Sequence, residues 1–434
     1  VERRRRIVVV GAGFGGLELV KGLADAPVDV VLVDANNFHT FQPLLYQVAT
    51  AGLDGDDVAA PVRGVVKRKK LRNVDVRLGR VTDIDLDRRQ LLLHDGPPIS
   101  YDRLVLAAGA VTNTYGVPGV EEHGFGLKSL DDALRLRQHI LRQFERASVD
   151  PSLIDEGVLD VVIAGGGPTG VELAGGIAEL YRNVLGGDFP SLDVRRARVV
   201  IVEPGDRVLA QFHPQLSDRA ARTLASLGVE TIFGQSVAGT DGKVVELGDG
   251  SRIPCSTLVW TAGIKASPLA EVVRRQLGDD ALTRGGRIVV DEHLRIPGHP
   301  EVAVVGDLAA SLDRDGELLP QLAPVAIQGG RLVARNLVGE LEGKEPEPFH
   351  YVDKGTMATV GRHDAVAQLP GKLRFSGPLG WLSWLGLHLI MLIGFRNRLN
   401  VLVNWFWNYI TYDRASRLIV GWEEDDPPPD GGSG

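Results

Sequence analysis

The residues best placed to do chemistry sit in and just after two glycine-rich turns. The first, Gly11-Ala12-Gly13-Phe14-Gly15-Gly16, follows the apolar run Ile7 to Val10. The second, Gly165-Gly166-Gly167-Pro168-Thr169-Gly170, follows Val161 to Ala164. Both have the spacing G-x-G-x-x-G: the first glycine allows a tight turn, the second lets backbone approach a pyrophosphate, and the third lets helix pack on strand. The start of the following helix offers free N–H groups and a positive dipole end to an anion. Each unit then has a second apolar strand closed by an acid, Asp34 after Val28–Val33 and Glu203 after Val199–Val202. A carboxylate there accepts hydrogen bonds from ribose hydroxyls. At Glu203 it would also repel a 2′-phosphate, which favours NADH over NADPH, although Arg207 nearby weighs against that preference. A lone G-x-G-x-x-G means little; strand, glycines, helix, strand and acid in order, twice, mean dinucleotide binding in both units.

Further elements must position these turns. The strands Tyr101–Leu106 and Ser256–Trp260 run into small residues, Ala107-Ala108-Gly109 and Thr261-Ala262-Gly263. Small residues let the chain pass close to a bound cofactor as it crosses between domains. A late strand, Val302–Val305, leads into Gly306-Asp307, where the carboxylate is placed to hold a flavin's ribityl hydroxyls. In the second unit a helix is expected from Val171 to about Leu185, and Asp188 to Arg198 reads as an inserted loop. The expected fold is α/β, with two Rossmann-type domains, the second inserted in the first, plus a C-terminal membrane-associating region with helices. The boundaries are 1–115 and 291–345 for the first domain, 116–290 for the second, 346–422 for the C-terminal region and 423–434 for a disordered tail.

Composition narrows the function. The chain has 434 residues, enough for two or three domains. Its net charge of -8 argues against nucleic acid as a partner, and Arg3 to Arg6 reads as a solvated terminus. Cys255 is the only cysteine, so neither a redox pair nor a cysteine-rich metal site can form, and no metal is expected. Core packing is the expected role of Cys255. The run after Arg6 is too short for a secretory signal, and no stretch reaches the ~20 apolar residues of a spanning helix.

The C-terminus has a different character. Five of the six tryptophans fall between Trp381 and Trp422. Trp381 to Phe395 is apolar nearly all round, with Arg396 and Arg398 following. Leu399, Leu402, Val403, Phe406 and Ile410 then recur at helical spacing, with Asn400, Asn404, Asn408 and Arg414 elsewhere on the wheel. This is the composition of an in-plane interfacial helix with tryptophan and arginine at headgroup depth; a buried hairpin or a dimer interface would use the same apolar surface.

Together these motifs resemble the two-dinucleotide-domain flavoproteins, and within them the type II NADH:quinone oxidoreductases, single-subunit respiratory enzymes that do not pump protons. The resemblance rests on GAGFGG, on FQPLLYQVATAGL from Phe41, on GGGPTGVELAG, on VVGD ending at Asp307 and on DKGTMATVGR from Asp353. It spans nearly the whole chain up to Trp422. It implies that FAD binds the first unit through Gly11, Gly13, Phe14, Gly15, Gly16, Asp34, Ala108, Gly109 and Asp307. NADH would bind the second through Gly165, Gly167, Pro168, Thr169, Gly170, Glu203 and Gly263. Hydride would pass from NADH to the flavin, and two electrons from there to a membrane quinone. The expected location is the cytoplasmic face of the membrane, bound peripherally, with the homodimer left open.

The resemblance also assigns chemistry to Glu172, Gln328 and Lys354. Glu172 follows the second turn by two residues, in what reads as the first turn of its helix. There a carboxylate complements the helix dipole, worth ~0.3–1 kcal/mol, or carries protons to quinone. Related chains have an AQxAxQ stretch where this one has Ala323-Pro324-Val325-Ala326-Ile327-Gln328. The second glutamine survives as Gln328, while Pro324 lacks both a backbone N–H and a side-chain donor. Two other readings compete: a soluble reductase serving a ferredoxin or oxygen, and a nucleotide-binding redox sensor without turnover.

Overall fold

The structure is a computed structural model, and it describes residues 3–411 and 416–420. Arg414, Trp422 and the acidic tail lie outside the described residues, as do the side chains of Asn408 and Ile410.

Two parallel sheets carry the two glycine turns. In the first, Arg5–Val10 lies between Val28–Asp34 and Arg103–Leu106, pairing in parallel with both. His299–Val304 extends this sheet by pairing in parallel with Arg103–Leu106. Residues nearly 200 positions downstream therefore complete the first unit, and the second unit interrupts it. In the second sheet, Val161–Ala164 lies between Val199–Glu203 and Thr257–Trp260, again in parallel. These strands are Val- and Ile-rich and buried on both faces, as parallel sheets covered by helices require. Where the chain crosses between the units, Ala110–Thr112 and Ile264–Ala266 pair antiparallel. Each crossing follows directly on the small residues expected to allow it.

The glycine-turn helices follow their strands closely. The first runs Phe14–Gly22 and the second Pro168–Leu180, continuing as a π-turn over Tyr181–Leu185. The expected loop after Asp188 contains a short 3-10 turn at Val194–Arg196. Helix Pro168–Leu180 begins three residues earlier than the sequence implied, because Pro168 supplies the fixed φ favoured at the first helical position. Glu172 is therefore its fifth residue and not part of the first turn, which holds no acid.

The C-terminal region contains a three-stranded antiparallel sheet, Thr356–Thr359, Ala365–Gln368 and Arg374–Ser376, that the helical pattern did not announce. Two helices follow, Gly377–Met391 and Phe395–Thr411. The apolar stretch to Phe395 is broken by a turn at Leu392–Gly394, so Phe395 opens the second helix. Among the described residues no helix is long and apolar enough to cross a membrane. Leu399, Leu402, Val403 and Phe406 point outward, with Phe406 66% exposed, while Val401 and Trp405 are buried. The amphipathic wheel read from the sequence is thus turned with its apolar face toward the surroundings.

Candidate functional site

The two turns repeat one another in detail. Gly11 and Gly165 take φ of 106° and 105°, open only to glycine. The N–H of Gly11 donates to Val33 O at 2.8 Å, and that of Gly165 to Val202 O at 2.9 Å. A Cβ on Gly16 would collide with the carbonyl of Gly11, and one on Gly170 with that of Gly165. At Gly13 and Gly167, the helix N-caps, nothing lies within 4 Å of where a Cβ would be. That open space is where a pyrophosphate approaches. The acids match too. Asp34 accepts from the N–H groups of Ala12 and Asn36 at 2.6 and 2.7 Å. Glu203 accepts from those of Gly166 and Gly205 at 2.7 and 2.8 Å.

The first turn opens into a cavity of about 670 Å³, within the range of small-molecule sites. Gly11, Gly13, Phe14, Gly15, Asp34, Ala108, Gly109 and Asp307 line it; Gly16 packs just behind. The cavity fits a flavin dinucleotide on grounds of its own. Its floor is open at Gly13 and Gly109. His39, also in its wall, uses Nδ1–H on Ala12 O at 2.8 Å, leaving Nε2 buried as an acceptor without a partner among the described residues. Burial holds this imidazole at about 4, so it stays neutral.

Two residues in this wall had no signal in the sequence. Lys128 Nζ meets Asp307 Oδ2 at 3.0 Å, and Gln321 Nε2 donates to Asp307 O at 2.8 Å. Lys128 precedes a helix whose Ser129–Asp132 capping box is legible. Its partner is 179 residues away, and nothing local announces it.

Glu172 belongs to a different cavity, a small cleft of about 80 Å³ between the second glycine-turn helix and the C-terminal region. Trp381, Trp384 and Trp405 line it, together with Tyr46, Gln47 and Thr359. A polar chain crosses the cleft wall. Trp405 Nε1 donates to Gln47 Oε1 (2.8 Å), Gln47 Nε2 to Tyr46 Oη (2.9 Å), and Tyr46 Oη bonds Thr359 Oγ1 (3.0 Å). The Thr359 N–H then donates to Glu172 Oε1 at 3.2 Å. Burial pushes Glu172 up to about 8, and the Thr359 N–H opposes this only in part. The Trp384 indole also lies near enough to favour the carboxylate, although its Nε1 makes no hydrogen bond among the described residues.

A row of ring contacts connects the two cavities. Phe14, in the wall of the larger one, meets Phe41 edge-on at 5.8 Å, and Phe41 meets His388 at 6.0 Å. His388 stacks on Trp384 of the smaller cleft at 4.0 Å. Burial keeps His388 neutral at about 4, and its Nδ1–H donates to Trp384 O at 2.8 Å.

The remaining sequence candidates lie elsewhere. Gln328 is clamped to one peptide, donating to Val352 O at 2.9 Å and accepting from Val352 N at 3.0 Å. Lys354 is exposed, while Thr359 and Arg362 of the same stretch reach the cleft. Pro324 sits near the start of helix Ala323–Leu341, a position where proline costs the helix nothing. Cys255 is buried, with its thiol pushed up to about 12 by desolvation, and it contacts Asp160 O and Thr257 O.

The comparisons with known proteins agree with this geometry. Residues 5–330 match the family model "Pyridine nucleotide-disulphide oxidoreductase", and residues 354–412 match "NDH2 C-terminal domain". The chain is similar to the type II NADH:quinone oxidoreductase Ndh of Mycobacterium tuberculosis, at 43% identity over 96% of this chain and 91% of that one. It is similar also to the Staphylococcus aureus enzyme of the same name, at 30% identity over 85% and 90% of the two chains. Its fold matches that of NDH2 from Plasmodium falciparum solved with NADH, with a TM-score of 0.88 at 19% identity, covering 96% of this chain and 100% of that one. Its sequence holds one cysteine, the buried Cys255, and so no thiol pair for the disulfide chemistry in the broad family's name. By its C-terminal domain and its identity along nearly its whole length, the chain belongs to the type II NADH:quinone oxidoreductases.

Proposed function

We propose that this chain carries out its family's reaction through two cavities, NADH and FAD meeting beside the glycine turns and quinone entering the tryptophan-lined cleft. FAD, when bound, takes a hydride from NADH and gives two electrons to quinone. Gly11, Gly13 and Gly109 leave room for it, Asp34 and Asp307 address its hydroxyls, and Lys128 fixes the Asp307 carboxylate. Glu203 orients NADH in the second unit, with Gly167 open to its pyrophosphate. Phe14, Phe41 and His388 fill the space between the cavities and exclude water from it.

Quinone reduction consumes protons, and burial keeps the Glu172 carboxyl in the cleft protonated near neutral pH. Its neighbour Thr359 and the chain through Tyr46 and Gln47 hold it in place. The single observation that carries this reading is Glu172, buried and in no ion pair among the described residues, in a cleft walled by the C-terminal tryptophans. We further infer that the outward apolar face of Phe395–Thr411 rests in the membrane interface, so that the cleft opens near the lipid that dissolves its substrate. The test is anaerobic reduction by NADH followed by mixing with a quinone analogue. Bleaching by NADH and rapid recovery on quinone are expected. Bleaching without recovery would overturn the quinone assignment.

A further inference from the structure

The segment 63–72 carries six cations, Arg63, Lys67, Arg68, Lys69, Lys70 and Arg72, and no carboxylate, in a chain of net charge -8. All six side chains are exposed, and none is in an ion pair with another described residue. Arg63 lies at the start of helix Val62–Arg68, and the other five lie at its end and on the turn beyond it. Lys70 takes a left-handed φ of 55°, which a lysine adopts at some cost. Arg63, Lys67, Lys70 and Arg72 form the walls of an open groove of about 410 Å³, floored by Val66 and Leu71. The one carboxylate in the groove, Asp75, is engaged by Arg77 at 3.3 Å.

This groove lies beside the apolar C-terminal face. The Arg68 guanidinium rests on the turn between the two last helices, Nη1 falling 3.0 Å from where a Cβ on Gly394 would be. Ile393 of that turn packs into the same apolar cluster as Val62 and Val66. On either side of the turn Ile390 is 68% exposed and Phe395 80%. Arg396 is exposed as well, and Arg398 caps the carbonyls of Leu392 and Ile390. Apolar groups that would enter a bilayer thus stand directly beside an unneutralised basic groove.

We propose that this groove binds the phosphate headgroup of an anionic phospholipid and so selects anionic membrane for the enzyme. The proposal rests on the membrane reading given above and adds the lipid class. The lysines and arginines supply point charges and forked donors to phosphate. Val66 and Leu71 offer an apolar floor to the glycerol and upper acyl chain.

The test is flotation of the full-length holoenzyme with vesicles of phosphatidylcholine alone or mixed with phosphatidylglycerol. A Lys or Arg near an anionic surface contributes ~1 kcal/mol, about fivefold in partitioning. Lys67→Gln/Lys70→Gln should therefore lose about 25-fold on the mixed vesicles, keep its binding to phosphatidylcholine, and turn over a water-soluble quinone as before. Phe395→Ser, in contrast, should weaken binding to both vesicles. Equal binding of wild type to the two vesicles, or an unaffected double variant, would overturn the headgroup site while leaving membrane association standing. Binding to neither would overturn both. If inorganic phosphate binds the vesicle-free holoenzyme and loses that binding in Lys67→Gln/Lys70→Gln, while flotation on the mixed vesicles is unchanged in the variant, the groove is a site for free anions and the lipid proposal fails.

Discussion

Glu18 and Glu172 occupy the same place in two copies of one motif, each seven residues after the first glycine of its turn. Their chemistry is opposite. Glu18 bonds Lys21 Nζ at 2.6 Å and Arg331 Nη2 at 2.7 Å. Burial would raise its carboxyl, but those two cations outweigh burial and hold it below the ordinary range. Glu172 is buried more deeply, pairs with no cation among the described residues, and is pushed up to about 8. The cause is visible three residues on. Lys21 of the first helix corresponds to Gly175 of the second, where a Cβ would come within 2.6 Å of Gly361 N. Glycine there removes the partner cation and admits the C-terminal region, whose tryptophans close over Glu172. The two glycine turns repeat one another, and one side chain separates an ion-paired carboxylate from a buried carboxyl with a raised pKa.

Several substitutions would break or sharpen that contrast. The largest effect belongs to the turns. Gly16→Ala forces a Cβ onto the Gly11 carbonyl and should yield protein without FAD, read from its absorbance. Gly170→Ala makes the matching collision in the second unit; it should keep its flavin and lose NADH-dependent bleaching. Equal flavin loss in both would mean that the two turns do not hold different nucleotides.

Next comes Gly175→Lys, which would drive the C-terminal region off the helix and put a cation beside Glu172. Quinone turnover should collapse while NADH still bleaches the flavin; retained turnover would remove the Gly361 contact from the account.

Smaller is the effect of Glu18→Gln. It gives up a partly exposed ion pair, costing about 1 kcal/mol or less, and should leave both half-reactions unchanged. A changed half-reaction would give Glu18 a role in chemistry.

The two glutamates should also show opposite pH slopes in stability. Glu172 has a folded value near 8 against 4.5 ordinarily, so its contribution is intact below 4.5 and lost as pH rises through 8. Glu172→Gln should therefore gain melting temperature over wild type across that window. Glu18, lowered below 4.5, contributes above that value and loses its contribution as pH falls beneath it. The penalty of Glu18→Gln should accordingly shrink in acid. Parallel slopes would contradict the assigned environments.

Much of this was legible in the sequence because it is local. The glycine spacing, the closing acids and the small residues at the crossings act within a few residues of themselves, and the helical repeat of Leu399 to Phe406 belongs to one element. What the sequence withheld is long-range. Lys128 and Gln321 reach Asp307 only through the fold. Glu172 stands out by its place after the second turn, but its distance from cations depends on how Gly175 packs. Gln328 carried a family motif, yet the peptide of Val352 takes both of its hydrogen bonds. In DKGTMATVGR the charged Lys354 carries the chemical signal, while the strand turns Thr359 inward and the lysine before it stays in solvent. An alternation of period two over four residues is too short to have revealed that sheet.

The most direct measurement is the rate at which NADH-reduced enzyme is reoxidised by a soluble quinone, followed by flavin absorbance across the pH range in wild type and Glu172→Gln. The account predicts a wild-type rate that falls as pH rises through about 8. The variant should be slower by roughly 100-fold or more, in keeping with loss of a positioned proton donor, with no inflection near that pH. A variant that reoxidises at the wild-type rate throughout would contradict it.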